Sequence, residues 1–165
     1  MWKWLRRKAA SNGEAMYHSL RSMALGVTAD QLELGPEVDG DIFGVVLDWN
    51  LDARDSACMT LVAFANGEAS IYLSTGGGMI GASQHEAVRA AAINLVSQAQ
   101  LVMDRAAEGP AAALPSDGAE HFTLLCRTGA RHILRGKGPD WDESDPLDAL
   151  SIAAQTLIGE ISRSA

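Results

Sequence analysis

The sequence predicts an α+β domain of two layers, a mainly antiparallel sheet with helices on one face, in the order α-β-β-β-α-β-β-α. Three observations predict it. The apolar pattern switches along the chain between a period near 3.6 and a period of 2, the marks of helix and strand. Successive strand candidates are joined by two- or three-residue connections, which only antiparallel pairs allow. The 165 residues, 47% hydrophobic and 21% charged, suffice to bury one core. A single domain over residues 11–165 is therefore expected, preceded by a basic, tryptophan-containing tail over residues 1–10.

The tail reads "MWKWLRRK". It resembles the start of a secretory leader, but the following "AASNGEAMYHS" supplies no apolar segment, so export is not expected. Two readings stay open. Trp2, Trp4 and Leu5 beside Lys3, Arg6, Arg7 and Lys8 suit contact with an anionic membrane surface, with the indoles at headgroup level. Otherwise the segment is a flexible tail, or its tryptophans cover an apolar patch on this domain or on a second subunit.

Ser11 followed by Glu14 has capping-box spacing, and Tyr17, Leu20 and Ala24, with Met16 and Met23 alongside, form a stripe that ends at Gly26. This predicts a first helix over about residues 12–25. Gly35, Pro36 and Gly40 mark a loop, in which "QLEL" reads as a short edge strand. Phe43, Val45, Leu47, Trp49 and Leu51 then alternate with other residues, predicting a strand with one face inward and one toward water. "CMTLVAFA" and "EASIYLST" flank Asn66 and Gly67, a two-residue hairpin signal. That register pairs Phe64 with Ala69, Val62 with Ile71 and Leu61 with Tyr72.

Ser83 and Glu86 repeat the capping-box spacing, and Val88, Ala92, Leu95, Ala99 and Val102 form a helical stripe running to about Ala107. "GPAAALPSDG" ends that helix as a linker. "HFTLLCR" and "RHILR" predict a second hairpin around Thr128, Gly129 and Ala130, with Arg127, Arg131 and Arg135 sharing a face. After an acidic loop around Trp141, Asp145 and Pro146 start a last helix with the stripe Leu147, Leu150, Ala154, Leu157 and Ile161.

This element order is similar to that of bacterial type III secretion chaperones, which are small, acidic and usually dimeric proteins that bind a segment of another protein. The similarity implies a dimeric binding module. Roadblock and profilin-like domains use the same ingredients but divide the strands two and three. The likeness covers element order and rests on no motif.

The net charge is −8, and four of the 13 basic residues fall in the first eight positions, leaving an acidic body. Such a body repels phosphate backbones, so nucleic acid is not an expected partner. No apolar run approaches the ~18 residues of a membrane span. Cys58 and Cys126 stand apart, without metal-ligand spacing, and read as buried thiols in a reducing cytoplasm. No metal and no cofactor is expected.

Three consecutive glycines, Gly76, Gly77 and Gly78, precede the second helix where a phosphate cradle would sit. The Lys and Ser or Thr of a Walker loop are missing, as is the spacing of a dinucleotide fingerprint. The glycines are read as a structural turn packed around Met79 and Ile80. An anion nest with Ser83 and His85 is the alternative. His85 near Ser74 or Thr75 is the one arrangement suggesting hydrolysis, without an orienting carboxylate. Asp48, Asp52 and Asp55 read as a solvated turn, and His132 as a hydrogen-bonded core histidine. The uncovered sheet face is the main candidate site. It is expected to display Met59, Leu61, Tyr72, Leu125 and Ile133, with Arg127, Arg131 and Arg135 at its rim, and to form a homodimer or hold another protein. The expected function is a non-enzymatic protein-binding or chaperone-like module; the alternative is a small-ligand sensor at the glycine turn.

Overall fold

A computed structural model describes residues 2–35, 38, 40–52, 57–110, 113–116, 118–136 and 141–165, with the backbone alone described for residues 2–11 and 52. The elements are α1 (Trp2–Leu25), β1 (Ile42–Asp52), β2 (Ala57–Phe64), β3 (Ala69–Leu73), β4 (Gly78–Met79), α2 (Glu86–Ala99), β5 (Ala107–Glu108), β6 (Glu120–Cys126), β7 (Gly129–Arg135) and α3 (Pro146–Ser164). The strands form one antiparallel sheet in the order β4-β3-β2-β1-β6-β7-β5. Class and element order are as predicted, with β4 and β5 added as two-residue edges. β1 is central because a hairpin lies on either side of it.

α2 and α3 cover one face together. Every residue of their two predicted stripes is buried, packed on Val45, Leu47, Leu61, Phe122 and Leu124. Asp145 caps α3, its Oδ1 accepting from the N–H groups of Leu147 (2.8 Å) and Asp148 (3.4 Å). The other two caps are not formed as predicted. Ser83 lies in a 3₁₀ turn over Ala82–Gln84, and His85 takes the N-cap of α2 without a side-chain bond. Ser11 lies inside α1, which begins at Trp2.

Both hairpins depart from the expected register. Ala63 pairs with Ala69, Leu61 with Ile71 and Thr60 with Tyr72, one residue from the prediction. Asn66 is not at positive φ; Gly67 alone is, at 88°, and its N–H bonds to the Phe64 carbonyl (2.9 Å). The chain thus makes a three-residue loop with a bulged glycine rather than a two-residue turn. A one-residue slip moves side chains to the opposite face. The β6–β7 loop is shorter than expected, since Cys126 pairs with Gly129 and Phe122 with Ile133.

The face expected to meet water is covered as well. α1 lies across it and buries Tyr17 and Ala24 against Val46, Val62, Phe64 and Tyr72, while Leu32, Leu34 and Leu114 extend the cover. Both faces of β1 are therefore internal. A bulge between Ile42 and Gly44 sends Phe43 and Val46 to the α1 side and Val45 and Leu47 to the α2–α3 side. "QLEL" is not a strand: Asp30–Leu32 is a 3₁₀ turn and Glu33 follows at φ 51°.

Candidate functional site

The outer surface of the helical layer has the most distinctive chemistry on the molecule. Residues 90–103 and 149–159 contain no Asp, Glu, Lys or Arg, in a chain of which 21% is charged. They are α2 with the 3₁₀ turn Gln100–Arg105 behind it, and the middle of α3. Their inward stripes are core; their outward sides are Ala90, Asn94, Ser97, Ile152 and Thr156, with Leu101 63% exposed. A groove of about 300 Å³ between the helices is lined by Asn94, Gln98, Ala149, Ile152 and Thr156, and by one charged residue, Glu143 of the loop before α3. On the flank of α2, Ile93 opens on a second hollow of about 420 Å³ with Val38, Ile42, Ala65 and Val96. On the helices themselves charges return at the margins, with Glu86, Arg89, Asp104 and Arg105 around α2 and Asp148, Glu160 and Arg163 on α3, while Glu143 reaches the groove from the preceding loop. A charge-depleted centre inside a charged rim is the composition of a protein interface.

A second feature is a cleft of about 310 Å³ at the end of the sheet, lined by Trp49, Asn50, Leu51, Glu120, Arg135, Trp141 and Gln155. Glu120 is buried and accepts from Ser151 Oγ (2.7 and 2.8 Å) and Arg135 Nη1 (3.2 Å). Arg135 Nε donates to Asp148 (2.7 Å), and its guanidinium lies 3.8 Å from the Trp141 ring centroid. The N–H of Asp142, with Arg135 next in weight, holds the Asp148 carboxyl below its ordinary range. Of the arginines expected to share an open face, Arg135 is thus engaged internally through Nε and Nη1, its side chain 10% exposed.

The third feature lies under α1. Asp48 is fully buried and receives two bonds from Arg21, Nε at 2.9 Å and Nη2 at 2.7 Å. Thr60 Oγ1 donates to Asp48 at 2.6 Å, which leaves it to accept from the Tyr17 hydroxyl at 2.8 Å. Burial pushes the Tyr17 hydroxyl up to about 12, and the Asp48 hydrogen bond raises the Arg21 guanidinium further above its ordinary value. Asp48 is therefore a counterion inside the fold and not part of a solvated turn. Asp55 lies outside the described residues, as does the Asp52 side chain. No metal-holding cluster occurs among the described residues.

The predicted interface residues do not share a surface. Met59, Leu61 and Ile133 are buried under α2 and α3, and Tyr72 and Leu125 under the α1 layer. The register slip and the α1 cover are the reasons. Arg127 is exposed at the β6–β7 turn, and Arg131, partly exposed, lies opposite Glu108 of β5 in the strand register. At the glycine turn, Gly76, Gly77 and Gly78 all have positive φ; they close the β3–β4 hairpin rather than lead into a helix. The Gly76 N–H is committed to the Leu73 carbonyl (2.9 Å). A Cβ on Gly78 would lie 2.1 Å from the Ile71 carbonyl oxygen. Ile80, expected to be buried there, is 67% exposed. Ser83 is partly exposed and His85 exposed, while Ser74 Oγ is occupied by the Cys58 N–H (2.8 Å). His132 donates its Nδ1–H to the Gly109 carbonyl (2.9 Å) and is partly exposed.

Cys58 and Cys126 are buried free thiols, both raised by burial. The side chains of Trp2, Lys3, Trp4, Arg6, Arg7 and Lys8 lie outside the described residues. No helix among the described residues is long and apolar enough to cross a membrane. Comparison with family models, with curated proteins and with solved structures finds no match for this chain.

Proposed function

We propose that this protein is a non-enzymatic protein-binding module that docks by the outer face of α2 and α3, and that it forms a homodimer through that face. The observation that carries the reading is the absence of charge over residues 90–103 and 149–159 in an acidic chain. A solvated helix pair gains solubility from charge and loses nothing by carrying it. Its exclusion is favourable where the face is desolvated, because a buried unpaired charge costs several kcal/mol.

The same pattern favours a second copy as occupant. Two bodies of net charge −8 repel wherever their carboxylates meet, and an uncharged face lets them approach with the least repulsion. A basic partner would instead gain by docking on carboxylates. α2 is 14 residues long, or about 21 Å, and two adjacent helices span roughly 20 Å. A face of that size, about 420 Å² on each copy, gives an interface below the usual range and in that of weak, transient contacts, so the dimer is concentration-dependent.

Light scattering at rising concentration tests the reading. The wild type is expected to reach the mass of a dimer, and Leu101→Asp with Ile152→Asp to remain a monomer with an unchanged circular dichroism spectrum. A wild type that stays monomeric at high micromolar concentration, or a doubly charged variant that still dimerises, contradicts it.

A further inference from the structure

The cleft at the end of the sheet is separate from the helical face, and its chemistry selects a ligand. We propose that the cleft between Trp49 and Trp141 binds a small, flat, uncharged heterocycle that carries a carbonyl oxygen beside an N–H, as a lactam ring does.

Size sets the first limit. A volume of about 310 Å³ lies at the bottom of the range for small-molecule sites; it admits one or two fused rings and excludes a peptide. The walls set the second. Trp49, Trp141 and Leu51 supply apolar surface; one face of Trp141 is taken by Arg135, so a flat ligand stacks on its other face or meets its edge, both favoured geometries for aromatic pairs.

Charge sets the third limit. One guanidinium, Arg135, is shared by two carboxylates, Glu120 and Asp148. An anion would add negative charge to a cleft that already has an excess of it. A cation would meet Arg135, which already occupies the cation–π position over Trp141 at 3.8 Å. An uncharged ligand avoids both costs.

The remaining hydrogen-bonding capacity describes the ligand's edge. A guanidinium has five N–H groups. Nε is used on Asp148 and Nη1 on Glu120, whereas Nη2 makes no hydrogen bond among the described residues. It is a donor for a carbonyl oxygen. Gln155 donates through Nε2 to Ser151 Oγ (3.4 Å), which turns its carbonyl oxygen into the acceptor for an N–H. A donor and an acceptor lining one cleft complement the C=O and N–H of a lactam edge.

The test is a titration followed by the indole N–H signals of the full chain in ¹⁵N–¹H NMR, with hypoxanthine as the probe and choline and inorganic phosphate as charged controls. Trp141 and Gln155 are exposed, so their replacement leaves the core intact. Saturable shifts of the Trp49 and Trp141 signals with hypoxanthine and with neither control are expected. Trp141→Ala, which removes one stacking wall, weakens binding by about tenfold, and Gln155→Ala weakens it without altering the circular dichroism spectrum. The proposal is overturned by no saturable shift up to the solubility limit, by an equal or stronger response to choline or phosphate, or by unchanged affinity in both variants.

Discussion

The two faces of the sheet are both covered, by different chemistry. Under α2 and α3 the middle of the contact is aliphatic, with Val45, Leu47, Leu61, Leu95, Leu124, Leu150 and Leu157, and the buried Glu120 sits at its margin against Ser151 and Arg135. Under α1 the contact includes an ion pair, a threonine hydroxyl and a tyrosine hydroxyl in a continuous chain. Aliphatic contact is non-directional and tolerates small shifts. A hydrogen-bonded chain that starts on a buried carboxylate is satisfied in one register of the helix. The difference teaches that α2 and α3 supply the bulk of burial, whereas the Arg21–Asp48 pair fixes where α1 sits.

Removing one partner of that pair is expected to have the largest effect. Arg21→Ala leaves Asp48 with Thr60 as its one described donor and costs roughly 3–5 kcal/mol in denaturant unfolding. Leu157→Ala on the other face costs about 2–5 kcal/mol through a cavity. The two classes separate when Arg21→Met is combined with Asp48→Leu. Replacing a buried pair by apolar residues is expected to recover most of the loss, whereas no second change restores the Leu157 cavity. A double variant as unstable as Arg21→Ala would mean that α1 is held by something other than this pair. Tyr17→Phe removes one neutral hydrogen bond at the end of the chain and is expected to cost only about 1 kcal/mol.

The pH limits of stability divide in part along the same line. Asp145 and Asp148, at the start of α3, are held below their ordinary 3.8, Asp145 chiefly by the Leu147 N–H and Asp148 chiefly by the Asp142 N–H. The stability they contribute is present above 3.8 and is lost as pH falls through their folded values. Cys58 and Tyr17, on the α1 side, are raised from 9.0 and 10.0 by burial, Tyr17 to about 12. Their neutral forms are favoured in the fold, so stability falls as pH rises through that range. Cys126 on the opposite face is raised too; a Cys126→Ala background removes that thiol from the alkaline loss. Thermal melts from pH 2 to 12 check both limbs, and Asp145→Asn is expected to remove part of the acid limb and none of the alkaline one.

The helices were legible because their stripes are long and, Ser151 apart, their buried positions are apolar, from Val88 to Val102 and from Leu147 to Ile161. Strand order followed from the short connections. What could not be read was the face each strand presents. That depends on whether Gly67 bulges or Asn66 joins it in a tight turn, a choice of one residue that redistributes Leu61 and Tyr72 between opposite layers. The cover by α1 has a signal in the sequence. Asp48 stands in "VVLDWNL" among core residues, and a carboxylate there requires a buried cation, which Arg21 provides. The helical face was legible as well, as two uncharged stretches, but a search for apolar stripes looks inward and misses what the outward side lacks. The cleft was out of reach, since Trp49, Glu120, Arg135 and Trp141 come from three strands and a loop and meet only in the fold.

Which face mediates association is the point on which the account stands, and pulsed electron paramagnetic resonance between nitroxide labels measures it. Cys58 and Cys126 are buried, so labels report from an introduced cysteine, at Asn94→Cys on α2 or at Met23→Cys on the outer side of α1, both exposed positions. Coupling between copies is expected, with a shorter distance from position 94 than from position 23. No coupling between copies at high micromolar concentration, or a shorter distance from position 23, would contradict it.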